Sequence, residues 1–146
     1  MRVVCLIVSA IVAFSGATAA LQDSKKSDPK NNGPSYEDTV HYIQDRMEGL
    51  EQTGQCSFAY HGYGDNWKFS FADLSPHISW SDRSPNGAFG RINCAGASKC
   101  VHLRNDRVGD QWTFEIEGNT DKSKLEKALL HLLDLCGVRP AKLDLF

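Results

Sequence analysis

The sequence predicts an α+β fold in which an N-terminal helix, an antiparallel meander of six or seven strands and a long C-terminal helix form one domain. Apolar residues recur at helical spacing before residue 50 and after residue 121, and they alternate with polar residues between these two segments. Turn-forming residues separate the alternating runs. We therefore expect a bent sheet or partial barrel with the C-terminal helix packed on it.

The composition is that of an ordinary soluble protein. The chain has 146 residues, of which 41% are hydrophobic and 23% charged, with 16 Lys and Arg residues against 18 Asp and Glu residues. Its formal charge of −2, without a long run of one sign, argues against a dedicated nucleic-acid binder, which needs a basic surface. The length suits one domain with one core.

The first twenty residues have the three parts of a secretory signal peptide. Arg2 supplies the positive start, an apolar run follows from Val3 to Phe14, and small residues at positions 16–20 provide a cleavage point. The apolar run of about 12 residues is shorter than the roughly 20 residues that a membrane-spanning helix needs. We therefore expect cleavage after Ala19 or Ala20, and a secreted or periplasmic protein without stable membrane insertion.

Residues 21–34 predict a disordered linker, because Leu21 is their single large apolar residue. The predicted organisation is thus a signal peptide over residues 1–20, this linker, a single α+β domain over residues 35–138 and a C-terminal tail over residues 139–146. In the tail, Leu143 and Leu145 alternate before Phe146, a pattern that suits an added edge strand or docking onto the core.

The first helix is predicted from Tyr36 to about Leu50. Ser35 can cap it, with Asp38 in the capping-box position. The apolar stripe that would pack on the sheet consists of Tyr36, Val40, Ile43, Met47 and Leu50.

Six runs with the alternation of strands follow the first helix, and Gly-rich or polar connections between them predict the turns. The residues that mark the six runs are Cys56, Phe58 and Tyr60; Trp67, Phe69 and Phe71; Ile78 and Trp80; Phe89 to Cys94; Cys100 to Arg104; and Trp112, Phe114 and Ile116.

The last helix begins after one of three competing caps, Asn119, Thr120 or Asp121, and ends at Gly137. Its apolar residues cover an arc of about 160°, which is wide for a surface helix, so we expect it to fill the core. These residues are Leu125, Ala128, Leu129, Leu132, Leu133, Leu135 and Cys136.

The five cysteines are the strongest local chemical signal. Cys5 leaves with the signal peptide, so four cysteines remain in an oxidising compartment. Cys94 and Cys100 flank a loop of small residues between two predicted strands, where a disulfide is geometrically easy. The remaining pair, Cys56 and Cys136, would close about 80 residues and contribute about 3–4 kcal/mol. Four cysteines permit three pairings, and this one matches the predicted topology.

Signals for catalysis are weak. The sequence has no H-E-x-x-H motif, no G-x-S-x-G motif and no phosphate-binding loop ending in Lys-Ser or Lys-Thr. The cysteines lack the paired C-x2-C spacing of a zinc site. We therefore predict no catalytic residue, no metal and no cofactor. A small metal-dependent or acid/base hydrolase that uses His61, His77 and His102 stays open as an alternative, because their strands could be neighbours.

Binding is the predicted activity, because three loops carry aromatic and charged side chains of the kind enriched in recognition surfaces. We expect a protein or peptide partner and no nucleic acid. An inhibitor or immunity-type protein that neutralises an envelope-targeting enzyme is the most concrete form, and a structural envelope component is a further alternative. The predicted partner-binding residues are Tyr63, Asp65, Asn66, Asp82, Arg83, Arg104, Asp106 and Arg107.

Two segments carry a resemblance at the level of the fold. SYEDTVHYIQDRM at residues 35–47 and KLEKALLHLLDLCG at residues 124–137 flank the predicted meander. This order resembles small secreted bacterial domains of pleckstrin-homology-like architecture, over about 100 residues, and it implies a bent sheet plugged by the C-terminal helix, with no catalytic motif. Six predicted strands in place of seven and the added N-terminal helix depart from that family. Residues 60–68 contain a single Lys or Arg, Lys68, so the resemblance does not imply phosphoinositide binding.

Overall fold

The computed structural model describes residues 33–62, 64–83 and 87–139. Within these ranges the chain is an α+β protein with two helices and eight strands in two antiparallel sheets, which confirms the predicted class. The signal peptide, most of the linker, Tyr63 and tail residues 140–146 lie outside the described residues. Neither helix of the described ranges is long and apolar enough to cross a membrane.

The first helix, α1 (Tyr36–Gln44), begins where the sequence predicts and ends earlier. The Ser35 hydroxyl oxygen accepts the backbone N–H of Asp38 at 3.1 Å, so the predicted cap is confirmed. The predicted end near Leu50 is wrong. The helix ends at Gln44, and Gly49 then adopts a φ of +82°, a left-handed conformation that favours glycine. Leu50 consequently begins a strand and is buried there.

Eight strands follow α1, so the predicted count of six or seven is too low. They are β1 (Leu50–Gly54), β2 (Ser57–Gly62), β3 (Asp65–Ser70), β4 (Leu74–Arg83), β5 (Gly87–Cys94), β6 (Val101–His102), β7 (Val108–Gly109) and β8 (Gln111–Glu117). The two additional strands are β1, which the helical stripe concealed, and β7, which is too short to show alternation.

The strands form two open sheets, which corrects the predicted bent sheet or partial barrel. The first sheet has the order β1-β2-β3-β6-β7 and the second has the order β4-β5-β8. The division falls after β3, where a short 3-10 turn at Phe71–Asp73 redirects the chain and β4 pairs with β5. A 3-10 turn of three residues has no alternation of apolar and polar residues that would distinguish it from a connection within one sheet. The sequence pattern therefore does not indicate that the strands form two sheets.

Aromatic rings from both sheets pack against each other in the core. The second helix, α2 (Lys122–Leu135), packs on this core. Trp112 of the second sheet is fully buried and stacks on Phe69 of the first sheet, with 4.3 Å between ring centroids. Among the three candidate caps, the Asp121 carboxylate accepts the backbone N–H of Lys124 at 3.1 Å. The residues that α2 buries fully are Leu125, Leu129, Leu132 and Leu133.

Both predicted disulfides are confirmed. Cys56 and Cys136 join the start of β2 to the end of α2, with 5.8 Å between their Cα atoms and 80 residues of sequence separation. Cys94 and Cys100 join the end of β5 to the start of β6 across six residues. The first bridge connects residues far apart in the sequence, whereas the second closes a single turn.

Candidate functional site

Five of the predicted partner-binding residues lie at the beginning of β3 and in the turn between β6 and β7. We call this set, Asp65, Asn66, Arg104, Asp106 and Arg107, the loop surface. The Arg107 guanidinium donates to both carboxylate oxygens of Asp65, at 3.2 and 3.4 Å. The Leu103 N–H donates to the Arg107 carbonyl at 2.8 Å and closes the loop. Two of the four charges of the loop surface, those of Asp65 and Arg107, are therefore paired with each other.

The backbone of the loop surface departs from ordinary conformations. Asn105 and Asp106 adopt φ values of +65° and +57°. A left-handed backbone at two consecutive residues that are not glycine costs free energy, and the surrounding contacts must hold it in place. The Asp65–Arg107 pair and the Leu103 hydrogen bond supply such contacts.

Asp82, which lies on β4 of the second sheet, has a partner of its own. Its carboxylate lies 3.4 Å from the ammonium of Lys122, at the beginning of α2. Trp80, two residues earlier on β4, donates its indole N–H to Glu126 at 3.0 Å. The predicted recognition residues are therefore divided between the two sheets. Tyr63 lies outside the described residues, and so does the side chain of Arg83.

The three histidines of the alternative hydrolase do not share one site. His61 and His102 lie on strands that β3 separates, because His61 pairs with Asn66 and His102 pairs with Lys68. His77 lies on β4 of the second sheet. In residues 33–62, 64–83 and 87–139, no group of three His, Cys, Asp or Glu side chains could hold a metal ion.

A groove of about 1140 Å³ lies in the described part of the chain, and no sequence pattern predicts it. Four segments form its walls: the end of α1 and the turn after it, the end of β2, the second half of β8, and the turn that leads into α2. We call it the acidic groove after the five carboxylates that line it, Asp45, Glu48, Glu115, Glu117 and Asp121.

Two cations also line the acidic groove, and both are engaged within the fold. The Lys124 ammonium lies 3.2 Å from the Asp121 carboxylate. The Arg46 guanidinium lies over the ring of Tyr42, 3.7 Å from its centroid, and donates to the Tyr42 carbonyl at 3.0 Å. With five carboxylates against these two cations, the lining of the groove carries an excess of negative charge.

Asp121 contributes its charge over a wide pH range. The backbone N–H of Lys124 donates to its carboxylate, and the Lys124 side chain also hydrogen-bonds to it. These hydrogen bonds favour the ionised form and hold the pKa of Asp121 below its ordinary value. Asp121 therefore caps α2 and also pairs, as a carboxylate, with the Lys124 ammonium.

Tyr60 lines the groove from β2, and only 4% of its surface is exposed. Burial raises the pKa of its hydroxyl, which also hydrogen-bonds to the backbone of Glu115 on β8. A Cβ atom at Gly62 would lie 2.5–2.7 Å from the Tyr60 ring and hydroxyl. Glycine at position 62 thus lets the Tyr60 ring approach the backbone closely.

His61 connects the acidic groove with the loop surface. It lines the groove, and its Nδ1 donates to the side-chain oxygen of Asn66 at 2.7 Å. Its Nε2 lies 3.8 Å from the carboxylate of Glu51 on β1. One residue that the sequence assigned to a possible hydrolase therefore lies between the two candidate binding regions.

A second cavity adjoins the acidic groove. This apolar cleft of about 500 Å³ lies between α1 and α2, and its surface is almost entirely apolar. Pro34, Thr39, Tyr42 and Ala128 are among its walls. The His131 ring lies at its border, with Nε2 3.0 Å from the Pro34 carbonyl.

The fold and the groove define a disulfide-stabilised α+β domain with an acidic groove as its candidate binding site. No protein-family model, no curated protein and no solved structure matches the chain.

Proposed function

We propose that this protein is a secreted or periplasmic binding module whose acidic groove binds a basic segment of a protein or peptide partner. The observation that carries the proposal is the excess of negative charge in the groove, which is lined by five carboxylates and two cations. A partner segment rich in Arg or Lys would supply the missing positive charge.

The shape of the groove favours a segment of chain as its ligand. Small-molecule sites are typically apolar cavities of about 300–1,000 Å³ with a few polar groups. This groove is larger, about 1140 Å³, and its lining is mainly polar. Tyr42 adds aromatic surface to it, as is common where proteins bind peptides.

The proposed compartment is supported by the two disulfides. Such bridges form and persist in oxidising surroundings such as the periplasm and the extracellular space. The predicted signal peptide supports the same compartment. We also keep the pleckstrin-homology-like resemblance as a proposal about architecture, supported by two antiparallel sheets with α2 packed on them.

An inhibitor or immunity-type protein that neutralises an envelope-targeting enzyme is the most concrete form of this function. Enzymes that act on anionic envelope polymers need a basic substrate-binding surface, which attracts an acidic groove at long range. An acidic groove that covers such a surface would exclude the substrate.

Binding of a fluorescein-labelled peptide of alternating Arg and Lys to the purified protein tests the proposal. Fluorescence polarisation should show saturable binding that weakens with salt. Replacing Glu48→Lys together with Glu117→Lys should reduce affinity about tenfold or more, since it reverses two charges of the groove.

The matched control is Asp73→Lys with Asp134→Lys, which changes the net charge by the same amount at exposed positions outside the groove. We expect it to retain most of the affinity. An equal loss in both variants would show that net charge alone attracts the peptide, and it would contradict the proposed site. Absence of saturable binding would also contradict it.

A further inference from the structure

We propose that the partner segment carries a bulky apolar side chain next to its basic residues, and that this side chain binds in the apolar cleft between α1 and α2. The inference rests on the proposed function, because it concerns the same segment that occupies the acidic groove. It adds a second element of recognition, in a cavity of different chemistry.

The two cavities share part of their walls. Tyr42 and Lys124 line both the acidic groove and the apolar cleft. A chain that leaves the groove past these two side chains therefore enters the cleft directly. Tyr42 is held in position, because the guanidinium of Arg46 lies 3.7 Å from the centroid of its ring.

Small side chains create the space in the cleft. Ala128 contributes only a methyl group from α2, and Thr39 is 3% exposed on α1, where its hydroxyl donates to the Ser35 carbonyl at 2.7 Å. With that hydroxyl already bonded, the cleft offers a partner little besides apolar surface. An apolar side chain that enters it loses contact with water at no cost in broken hydrogen bonds.

The charges around the cleft determine which part of the segment enters it. Lys127 and Lys124 line the cleft, the latter paired with Asp121, and Asp38 is the one carboxylate in the described lining. The Asp38 carboxylate already accepts the Ser35 hydroxyl at 2.8 Å. Basic residues of a partner are therefore repelled from the cleft and attracted to the groove, so the two cavities orient a basic and apolar segment in one direction.

The experiment compares two fluorescein-labelled peptides of equal charge, Arg-Lys-Arg-Lys-Gly-Phe-amide and Arg-Lys-Arg-Lys-Gly-Gly-amide. We expect the Phe peptide to bind the purified protein about tenfold more tightly, because it buries an aromatic ring. Ala128→Leu fills the cleft and should abolish this preference while the Gly peptide keeps its affinity. Ala72→Leu, the same change at an exposed position outside both cavities, should keep the preference.

A second measurement tests the inference without the Ala128→Leu variant, in case that variant fails to fold. In the unaltered protein labelled with ¹³C-alanine, the Phe peptide should shift the methyl resonance of Ala128, and the Gly peptide should not. If both peptides bind equally and the methyl resonance stays in place, the inference is wrong and the proposed function stands. If neither peptide binds, the proposed function itself fails.

Two other occupants of the cleft would produce different results. In one result, the unaltered protein binds both peptides equally while the variant with Leu145→Ser and Phe146→Ser prefers the Phe peptide. That result would show that the C-terminal residues of this chain occupy the cleft. If Ala128→Leu changes the sedimentation coefficient of the protein alone, the cleft belongs to a second copy. Either result overturns the inference.

Discussion

The loop surface and the acidic groove are both rich in charge, but the fold compensates that charge differently. In the loop surface, Asp65 and Arg107 form an ion pair at 3.2 Å, so a partner would have to displace an existing contact. In the groove, five carboxylates face two cations, of which Lys124 is paired with Asp121 and Arg46 lies over the Tyr42 ring. The excess of one sign within a cavity is therefore a better indication of recognition than the number of charges in a turn.

Each of the two regions also has its own disulfide. β2 and α2 contribute walls of the groove near residues 60–62 and 121–124, and Cys56–Cys136 joins their opposite ends. The loop surface follows β6, which begins directly after Cys100. The two bridges can be removed separately, so the two regions can be tested separately.

The largest effect is expected from removing the long bridge. Cys56→Ser with Cys136→Ser should lower the free energy of unfolding by about 4 kcal/mol, because the bridge closes a loop of about 80 residues in the unfolded chain. Cys94→Ser with Cys100→Ser should cost only about 2 kcal/mol, since that loop is short. Guanidinium unfolding measures both. Equal losses, or a larger loss from the short bridge, would contradict the comparison.

The features that the sequence predicts are those with a local or periodic signal. The Ser35 cap, the six alternating runs and the pairing of the cysteines each depend on spacing that can be read along the chain. The apolar spacing places Leu50 in the first helix because Leu50 continues the helical stripe. In the structure Leu50 begins β1, directly after Gly49 with its positive φ. A helical period is therefore no guide to where the helix ends.

The acidic groove could not be predicted in the same way, because its carboxylates come from distant parts of the chain. Glu115 and Glu117 alternate with the buried residues Phe114 and Ile116, which places them on the outer face of β8. This is the one sequence signal for that wall. Which other segments face it depends on tertiary packing. The pairing of Asp65 with Arg107, 42 residues later, is equally invisible in the sequence.

The shape of the groove can be altered by a single methyl group. Gly62→Ala places a Cβ atom 2.5–2.7 Å from the Tyr60 side chain, which must then move. We expect a loss of about 1–3 kcal/mol in the free energy of unfolding, together with weaker peptide binding. Gly54→Ala on β1 is the control, because its nearest neighbour would lie at 3.6 Å. A Gly62→Ala protein as stable as the control would contradict the close contact.

The ion pair of the loop surface should contribute little. A double-mutant cycle with Asp65→Asn and Arg107→Gln should give a coupling of about 0.2–1 kcal/mol, because the Arg107 side chain is largely exposed to solvent. Neither variant should change the affinity for the basic peptides. A loss of peptide binding in these variants would move the binding site from the groove to the loop surface.

The smallest effect concerns Tyr60 and is confined to alkaline solution. Because burial raises its pKa in the folded protein, its contribution to stability is complete below the unfolded value of 10.0 and is lost as the pH rises through the folded value. The tyrosinate absorbance should therefore show one late-titrating tyrosine, and Tyr60→Phe should remove it. Persistence of the late transition in Tyr60→Phe would assign it to another tyrosine.

The hydrogen bond of Trp67 gives the protein an internal fluorescence probe of the groove. Trp67 donates its indole N–H to the Gly62 carbonyl at 3.3 Å, and Gly62 lines the acidic groove. Trp112 is sealed in the core, and Trp80 lies beside α2. Emission from Trp67 should thus respond when the groove is filled while emission from Trp112 stays constant, so occupancy can be followed by fluorescence without any attached dye.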